Sequence, residues 1–431
     1  MVKENSNKRD SSYWEKVRPI PLTKIETTDY KTKDSLEVIF NSKPYKDSID
    51  KVVNKINPAN IIYSGYVYQY NTVEGPVVFL KSTYSKSENG NLKYQVVPEV
   101  RYGFSSKKPY GQLFGRVYYN PEKFSRALVH FGSFVYQYNE YNPISSLINS
   151  LETLLNRRNY MKLYEKNFFR MAHQTELTNG ILLTSNIEYA NRQEQSNATD
   201  YSIFWKDDRA FTTNKPVNAE LIDTSFDSNN ALRLDVFLNF RIKQKYISRP
   251  NQKIVMGTKY PRFRISYSKG LPVLGSDVDF DRISFDVRDN IDYKLMGSGS
   301  YSLATGTFLN DNKVSFIDYK HFIGSRTVLA QFKANNFQLL DYYYFSTTKN
   351  WLTAQYSHHF NGFLINKFPL LRKTKVQATG SVNYLFTETS KSYIEYGFGL
   401  EHIFKVFRID YYMAYLRGEH YASGIKFGMG F

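Results

Sequence analysis

Alternation is the feature that limits this chain most. Across residues 231–243, Leu232, Leu234, Val236, Leu238, Phe240 and Ile242 take every second place, and Arg233, Asp235, Asn239, Arg241 and Lys243 stand among the places between. A strand sends successive side chains to opposite faces, so this stretch has one apolar and one charged face. The pattern recurs. Phe263, Ile265 and Tyr267 alternate with Arg262, Arg264, Ser266 and Ser268. Ile283, Phe285 and Val287 alternate with Arg282, Ser284, Asp286 and Arg288. Phe407, Ile409, Tyr411, Met413 and Tyr415 alternate with a set that includes Arg408 and Asp410. The final strand keeps the beat, with Ile425, Phe427, Met429 and the terminal Phe431 on one face. A soluble barrel would turn its apolar set inward. The charges of the other set are costly against lipid, whereas they can pair across a wet lumen. Strand lengths of about 9–14 residues and the aromatic terminus favour the membrane arrangement. The expected fold is therefore all-β, a transmembrane antiparallel β-barrel of about 16 strands with its greasy side outward.

Composition agrees with this reading. No run approaches the roughly 18 apolar residues of a membrane helix. The 37 Tyr and 32 Phe suit a headgroup boundary, where a ring meets lipid and a polar atom meets water. The absence of cysteine excludes disulfides, thiolate metal sites and thiol nucleophiles. A net charge of +17 fits a lumen and rim rich in Lys and Arg, or an affinity for acidic partners. Residues 1–10 are polar and lack the apolar core of a secretory signal. A barrel must be exported, so the sequence is expected to start downstream of its true beginning.

Residues 1–57 read as a separate periplasmic lead-in or plug. Trp14, Arg18, Pro19, Ile20 and Pro21 form an extended, proline-punctuated piece, and Ile49, Val52, Val53 and Ile56 have helical spacing. Residues 58–431 read as the barrel. Strands are expected near 60–70, 76–87, 91–105, 111–120, 124–138, 163–175, 179–191, 231–245, 258–268, 279–292, 296–308, 325–334, 349–361, 374–387 and 392–403, with a final hairpin over 405–431. That makes about 17 candidates; single-chain bacterial barrels favour even counts, so one is expected to be false. Longer gaps near 192–230, 309–324 and 335–348 are expected mostly on the outer side. Residues 142–160 place Leu147, Leu151, Leu154 and Leu155 at helical spacing. Such a helix could gate the lumen, lie on the membrane surface, or cover the rim.

Chemical motifs are few. Asp277, Asp279 and Asp281 share a strand face and would suit a hard cation, but the fuller calcium loop is not met. Pairing with lumen arginines is the favoured reading. His358 and His359 point to opposite faces of a strand, and the other histidines show no ligand spacing. No nucleophile elbow, phosphate loop or dinucleotide fingerprint occurs. Neither enzyme activity, nor a cofactor, nor a metal is expected.

Several runs carry a resemblance. Residues 10–23 (DSSYWEKVRPIPLT), 141–166 (YNPISSLINSLETLLNRRNYMKLYEK), 361–373 (NGFLINKFPLLRK) and 397–411 resemble an uncharacterised outer-membrane β-barrel family of diderm bacteria. In that family the barrel follows a carboxypeptidase-regulatory-like β-sandwich, which this sequence does not contain. Gly397, Gly399, Leu400, Arg408, Asp410 and Tyr411 are more distantly similar to the closing strands of the BamA-like assembly and two-partner secretion superfamily. That implies 16 strands whose first and last meet at a seam. The superfamily's Arg-Gly-Phe/Tyr signature is not found between strands 11 and 12. Asp318, Tyr319, Lys320, His321, Phe322, Ile323 and Gly324 stand there instead.

The functional expectation is an integral outer-membrane protein that transports or helps assemble a cargo the sequence does not name. Its partners are outer-membrane lipid and, during insertion, the assembly machinery that reads Ile425, Phe427, Met429 and Phe431. Arg233, Arg241, Arg262, Arg264, Arg282, Arg288, Arg408 and Asp410 are the expected lumen charges. Nucleic acid is not an expected partner of this reading. The alternatives are a gated or passive solute pore, and a barrel whose basic outer loops bind acidic glycan or nucleic acid.

Overall fold

The computed structural model describes residues 69–429, apart from 89–90, 205–207, 250–251, 330–331, 333–335 and 368–370. The expected lead-in over 1–57, most of the strand near 60–70, and Phe431 lie outside the described residues. The chain runs through β1 (Gln69–Asn71), β2 (Gly75–Lys81), β3 (Tyr84–Glu88), β4 (Asn91–Gly103), β5 (Lys108–Asn120) and β6 (Ser125–Gln137). After helix α1 (Ser146–Asn156) come β7 (Leu163–Thr178), β8 (Ile181–Glu194) and β9 (Asn229–Arg241). A small hairpin, β10 (Lys245–Arg249) and β11 (Gln252–Gly257), precedes β12 (Arg262–Gly270), β13 (Asp279–Asp292) and β14 (Ser298–Lys313). The chain closes with β15 (Trp351–His359), β16 (Gln377–Thr387), β17 (Tyr393–Ile403), β18 (Phe407–Leu416) and β19 (Glu419–Met429).

One 17-stranded sheet contains all of these except the β10–β11 hairpin. Chain neighbours pair antiparallel from β4 to β9, then β9 pairs with β12 and the order continues to β19. β2 and β3 both lie along β4, so they form one stave interrupted at Ser82 and Thr83. Counting them together leaves sixteen staves. The false strand is the one expected over 325–334. Its described residues make only an isolated parallel bridge, Leu329 to Phe427.

The two faces of the sheet are chemical opposites. Phe131, Phe169, Met171, Ile187, Tyr189, Ile265, Ile283, Phe285, Leu303, Phe398, Leu400, Ile409, Tyr411, Ile425, Phe427 and Met429 are exposed. Register sets them side by side: Phe131 opposite Phe169 and Phe169 opposite Tyr189, Ile265 opposite Phe285, Leu400 opposite Ile409 and Ile409 opposite Phe427. The other face buries Lys166, Glu188, Arg192, Asp235, Glu395, Glu401, Arg408, Asp410 and Lys426. Water-facing sheets bury the apolar set and expose the charged one. A bare apolar belt around a buried ionic face is the distribution that hydrocarbon solvent selects.

Residues 314–350 show that the sheet curls. Phe316, Ile317, Tyr342 and Tyr343 pack with Phe134 and Val135 of β6 and with Leu163 and Tyr164 of β7. Phe322, Phe337, Leu339, Leu340 and Phe345 pack with Trp351, Leu385, Tyr393 and Tyr412 on β15–β18. One segment reaches both sets because the ionic face wraps around it, as in a barrel. Most described residues of 316–324 and 337–348 are therefore buried against the inner face, although the connection that carries them leaves from the same end as the other long ones.

Antiparallel order sends successive turns to alternate ends. The three longest connections, 138–162, 195–228 and 314–350, all leave from one end. The other end has tight turns such as Asn179–Gly180, together with the β10–β11 hairpin. Gly180 adopts φ +87°, and a Cβ there would fall 2.4 Å from the Arg241 carbonyl oxygen, so this turn needs glycine.

Candidate functional site

Two parts of the interior carry the chemistry: the inward segment 314–350 and a cavity at the short-turn end. The segment is held by carboxylates. Glu395 sits in the inward phase of β17 and is fully buried. Its Oε2 accepts the Gln338 backbone N–H at 2.8 Å and its Oε1 accepts that of Leu339 at 2.8 Å. Asn383 Nδ2 (3.1 Å) and the Tyr393 hydroxyl (2.6 Å) also donate to it. A buried carboxylate requires such donors, because nothing else replaces its lost hydration.

The opposite wall holds Asp318. Arg192 Nη1 of β8 lies 2.7 Å from Asp318 Oδ2, and Arg233 Nη1 of β9 lies 3.8 Å from Oδ1. Arg282 of β13 donates to the Asp318 carbonyl at 3.3 Å. Further braces come from neighbouring loops. Asn139 donates to the Phe322 carbonyl at 3.0 Å, and Asn218 donates to the carbonyls of Tyr343 (3.0 Å) and Ser346 (2.9 Å). His321 Nδ1 contacts Ser346 Oγ at 2.8 Å, and burial pushes its imidazole pKa down to about 3, so it is neutral. Glu140 projects among these cations. Partial desolvation works to raise its pKa although its side chain stays half exposed, and Arg233, Arg282, Lys320 and Arg170 outweigh that and bring it to about 2. The inward segment also covers an edge: the Phe427 N–H of β19 donates to the Val328 carbonyl at 2.9 Å. Lys426 Nζ donates to the Thr327 carbonyl at 2.8 Å.

At the short-turn end lies a cavity of about 710 Å³. Arg241, Arg262, Arg264 and Arg288 line it, with Glu176, Asp286, Ser300 and Ser302. Of the eight expected lumen charges, these four stand together here. Arg233 and Arg282 stand with Asp318 deeper in. Arg408 and Asp410 pair on β18 at 2.6 Å (Nη2 to Oδ2), and the Arg408 guanidinium lies 4.2 Å from the Phe332 ring centre.

Other expected residues fall elsewhere. The helix over 142–160 forms as α1, but its leucines are not an inward plug. Asn149, Ser150, Glu152 and Thr153 are buried, while Leu147 and Leu151 are exposed and Leu154 and Leu155 are half-buried. The reason is a strand edge: the Tyr70 N–H of β1 donates to Ser150 Oγ at 2.8 Å, and Asn149 Nδ2 donates to the Tyr70 carbonyl at 3.2 Å. Asp277, Asp279 and Asp281 are not paired with lumen arginines. They accept from the Asn230 N–H, the amides of Asn310 and Asn312, and Lys269. Among the described residues no group of acids or histidines is placed to hold a metal ion. Ile425, Phe427 and Met429 lie on the outward face of β19. Sequence reasoning missed Glu395, Asp318, Arg192 and Lys426. For Glu395 the signal was present, as it shares the inward phase of β17 with Tyr393 and Gly397.

A family model described as the C-terminal domain of a family of unknown function, DUF5686, matches residues 39–400. No curated protein matches. Among solved structures the chain is similar to BamA from Haemophilus ducreyi lacking POTRA domains 1–3, at 11% identity and a TM-score of 0.45, covering 84% of this chain and 69% of that one. It is also similar to CdiB from Acinetobacter baumannii, at 11% identity and a TM-score of 0.38, covering 84% of this chain and 57% of that one. A doubly substituted mutant of the Rh. blastica porin follows at 10% identity and a TM-score of 0.33, covering 84% of this chain and 94% of the other.

Proposed function

The chain belongs to the DUF5686 family, and on that premise we propose that it is an outer-membrane β-barrel that moves or helps assemble cargo through a lumen gated by its own residues 314–350. Barrels of that membrane have short periplasmic turns and longer outer loops. The long-connection end of the sheet then faces outward, and the arginine-lined cavity opens toward the periplasm. The observation that carries the gating is the double attachment of one segment. Glu395 holds it to one wall and Asp318 holds it to the other, both through polar contacts that can be broken without unfolding the sheet.

Planar-bilayer conductance tests this. The unaltered protein is electrically silent or nearly so. The double variant Glu395→Gln/Asp318→Asn weakens both attachments and conducts. A wild-type protein that already conducts steadily points instead to a passive pore, and a silent double variant removes the gating role of the segment.

The outward face of β19 supports a second, separable part of the reading. Ile425, Phe427 and Met429 present an apolar row to the machinery that inserts barrels, and Phe431 continues their period of two in the sequence. Deleting Phe431 lowers the amount of folded, heat-modifiable protein in the membrane fraction. Unchanged yield would show that insertion does not depend on this terminus.

A further inference from the structure

We infer that the short-turn end of the lumen is a binding site for a multiply charged anion of the phosphate class, held by Arg241, Arg262, Arg264 and Arg288. This deepens the barrel reading above and depends on it, but does not depend on gating. Arg262 of β12 is the direct Cα partner of Arg241 on β9 and of Arg288 on β13. Neighbouring strands lie roughly 4.8 Å apart, so three guanidinium groups start from one row across three staves. Like charges placed directly opposite one another destabilise a sheet. Arg264 starts two residues further along β12 on the same face.

Several lumen cations elsewhere sit beside acids. Arg192 meets Asp318, Lys166 meets Glu188, and Arg408 meets Asp410. The row at Arg262 differs. Arg288 has one carboxylate, Asp286, at 3.3 Å. Arg241 donates to the Gln244 amide at 3.4 Å, and Arg264 donates to Asn239 at 2.8 Å. The Arg262 side chain makes no hydrogen bond or ion pair with the described residues. Of the other acids at the cavity, Glu176 is already engaged by Lys253 and Gln244, and Asp289 alternates with Arg288 and pairs across the sheet with Tyr301 on the opposite face. The row therefore carries surplus positive charge that the protein itself does not neutralise.

Space and access fit a ligand. The cavity measures about 710 Å³, and its far wall on β14 offers the small side chains Ser300 and Ser302. One residue further along, the outward side of the same staves carries Phe240, Phe263 and Val287, so the row lies level with the apolar belt. Forked guanidinium groups bind phosphate oxygens in pairs, which a lysine cluster cannot do. Free phosphates and phospholipid headgroups share this chemistry.

The test uses the full chain folded in neutral detergent at low salt, with folding checked by heat-modifiable migration. Sodium pyrophosphate is titrated by calorimetry into the unaltered protein and into Arg262→Gln/Arg264→Gln. Losing two charge-assisted contacts weakens binding by about tenfold or more. Arg262→Lys keeps the charge and loses the fork, and its affinity falls between the two. A parallel arm replaces pyrophosphate with mixed micelles containing phosphatidylglycerol. Binding in that arm alone assigns the site to a lipid headgroup, and binding of pyrophosphate assigns it to a soluble phosphate. Equal binding by the folded double variant overturns the inference, as does an unaltered protein that binds neither probe. Either failure leaves the conductance of the unpinned gate variant unaffected, so the two readings fall separately.

Discussion

Replacing Glu395 with alanine lowers the stability of the folded protein by about 3–5 kcal/mol, the cost of leaving several buried donors without their shared acceptor. The carboxylate is fully buried, and four donors converge on it. Two are consecutive backbone N–H groups, which cannot rotate away as side chains can. Each buried donor left without an acceptor costs about 1–3 kcal/mol, and partial relaxation or water entry recovers some of that. Glu395→Gln keeps one oxygen but turns an NH₂ group toward the other donors, so its loss is smaller than that of the alanine variant. The loss is also local. The sheet ladder of β16, β17 and β18 is untouched, whereas the backbone at Gln338 and Leu339 loses its attachment. Amide hydrogen exchange therefore accelerates within the inward segment well before it does in the strands. Urea titration in detergent measures the first effect and exchange mass spectrometry the second. An alanine variant with unchanged stability and unchanged protection would show that the segment is held by its aromatic packing alone.

The staves were legible because period-two alternation is imposed on each strand separately, by solvent on one side and lumen on the other. Residues 231–243 carry that imprint without help from any neighbour, and β9 forms there. The stretch 325–334 failed for the same reason. Val328 and Leu329 look strand-like, but they lie against the edge of β19 as a single bridge. Local pattern cannot separate a stave from a segment that merely touches one. The helix shows the complementary failure. Leu147 and Leu151 define an apolar stripe, yet the polar side of α1 is the buried one, because Ser150 and Asn149 satisfy the backbone of Tyr70 nearly eighty residues away. Long-range demands of this kind leave no trace in spacing. The arginines of the cavity were legible as inward residues. That three of them share one row required the register, which sequence alone does not supply.

A charge placed on the outward face should be far more damaging than the same charge one residue away. Phe285 is exposed, stacks on Phe263 with ring centres 6.1 Å apart, and pairs across the sheet with Ile265 and Thr305. Its neighbour Ser284 shares the inward face with Arg282 and Asp286. Phe285→Arg costs about 2–4 kcal/mol in a bilayer, the range for a cation on the lipid face near the midplane. Ser284→Arg leaves its cation in the lumen, beside Asp286, and costs much less. Met429→Arg, at the end of its strand, falls toward the roughly 0–1 kcal/mol of the interface. Refolding into lipid vesicles under a urea gradient measures all three. The order matters more than the size, because a soluble protein would reverse it: the exposed Phe285 would accept a charge at little cost, and the partly buried Ser284 would resist it. Tolerance at 285 with intolerance at 284 would place water, rather than hydrocarbon, against the apolar belt. The gate and the anion site both presuppose that the ionic face encloses the lumen, so this reversal would remove the ground beneath them.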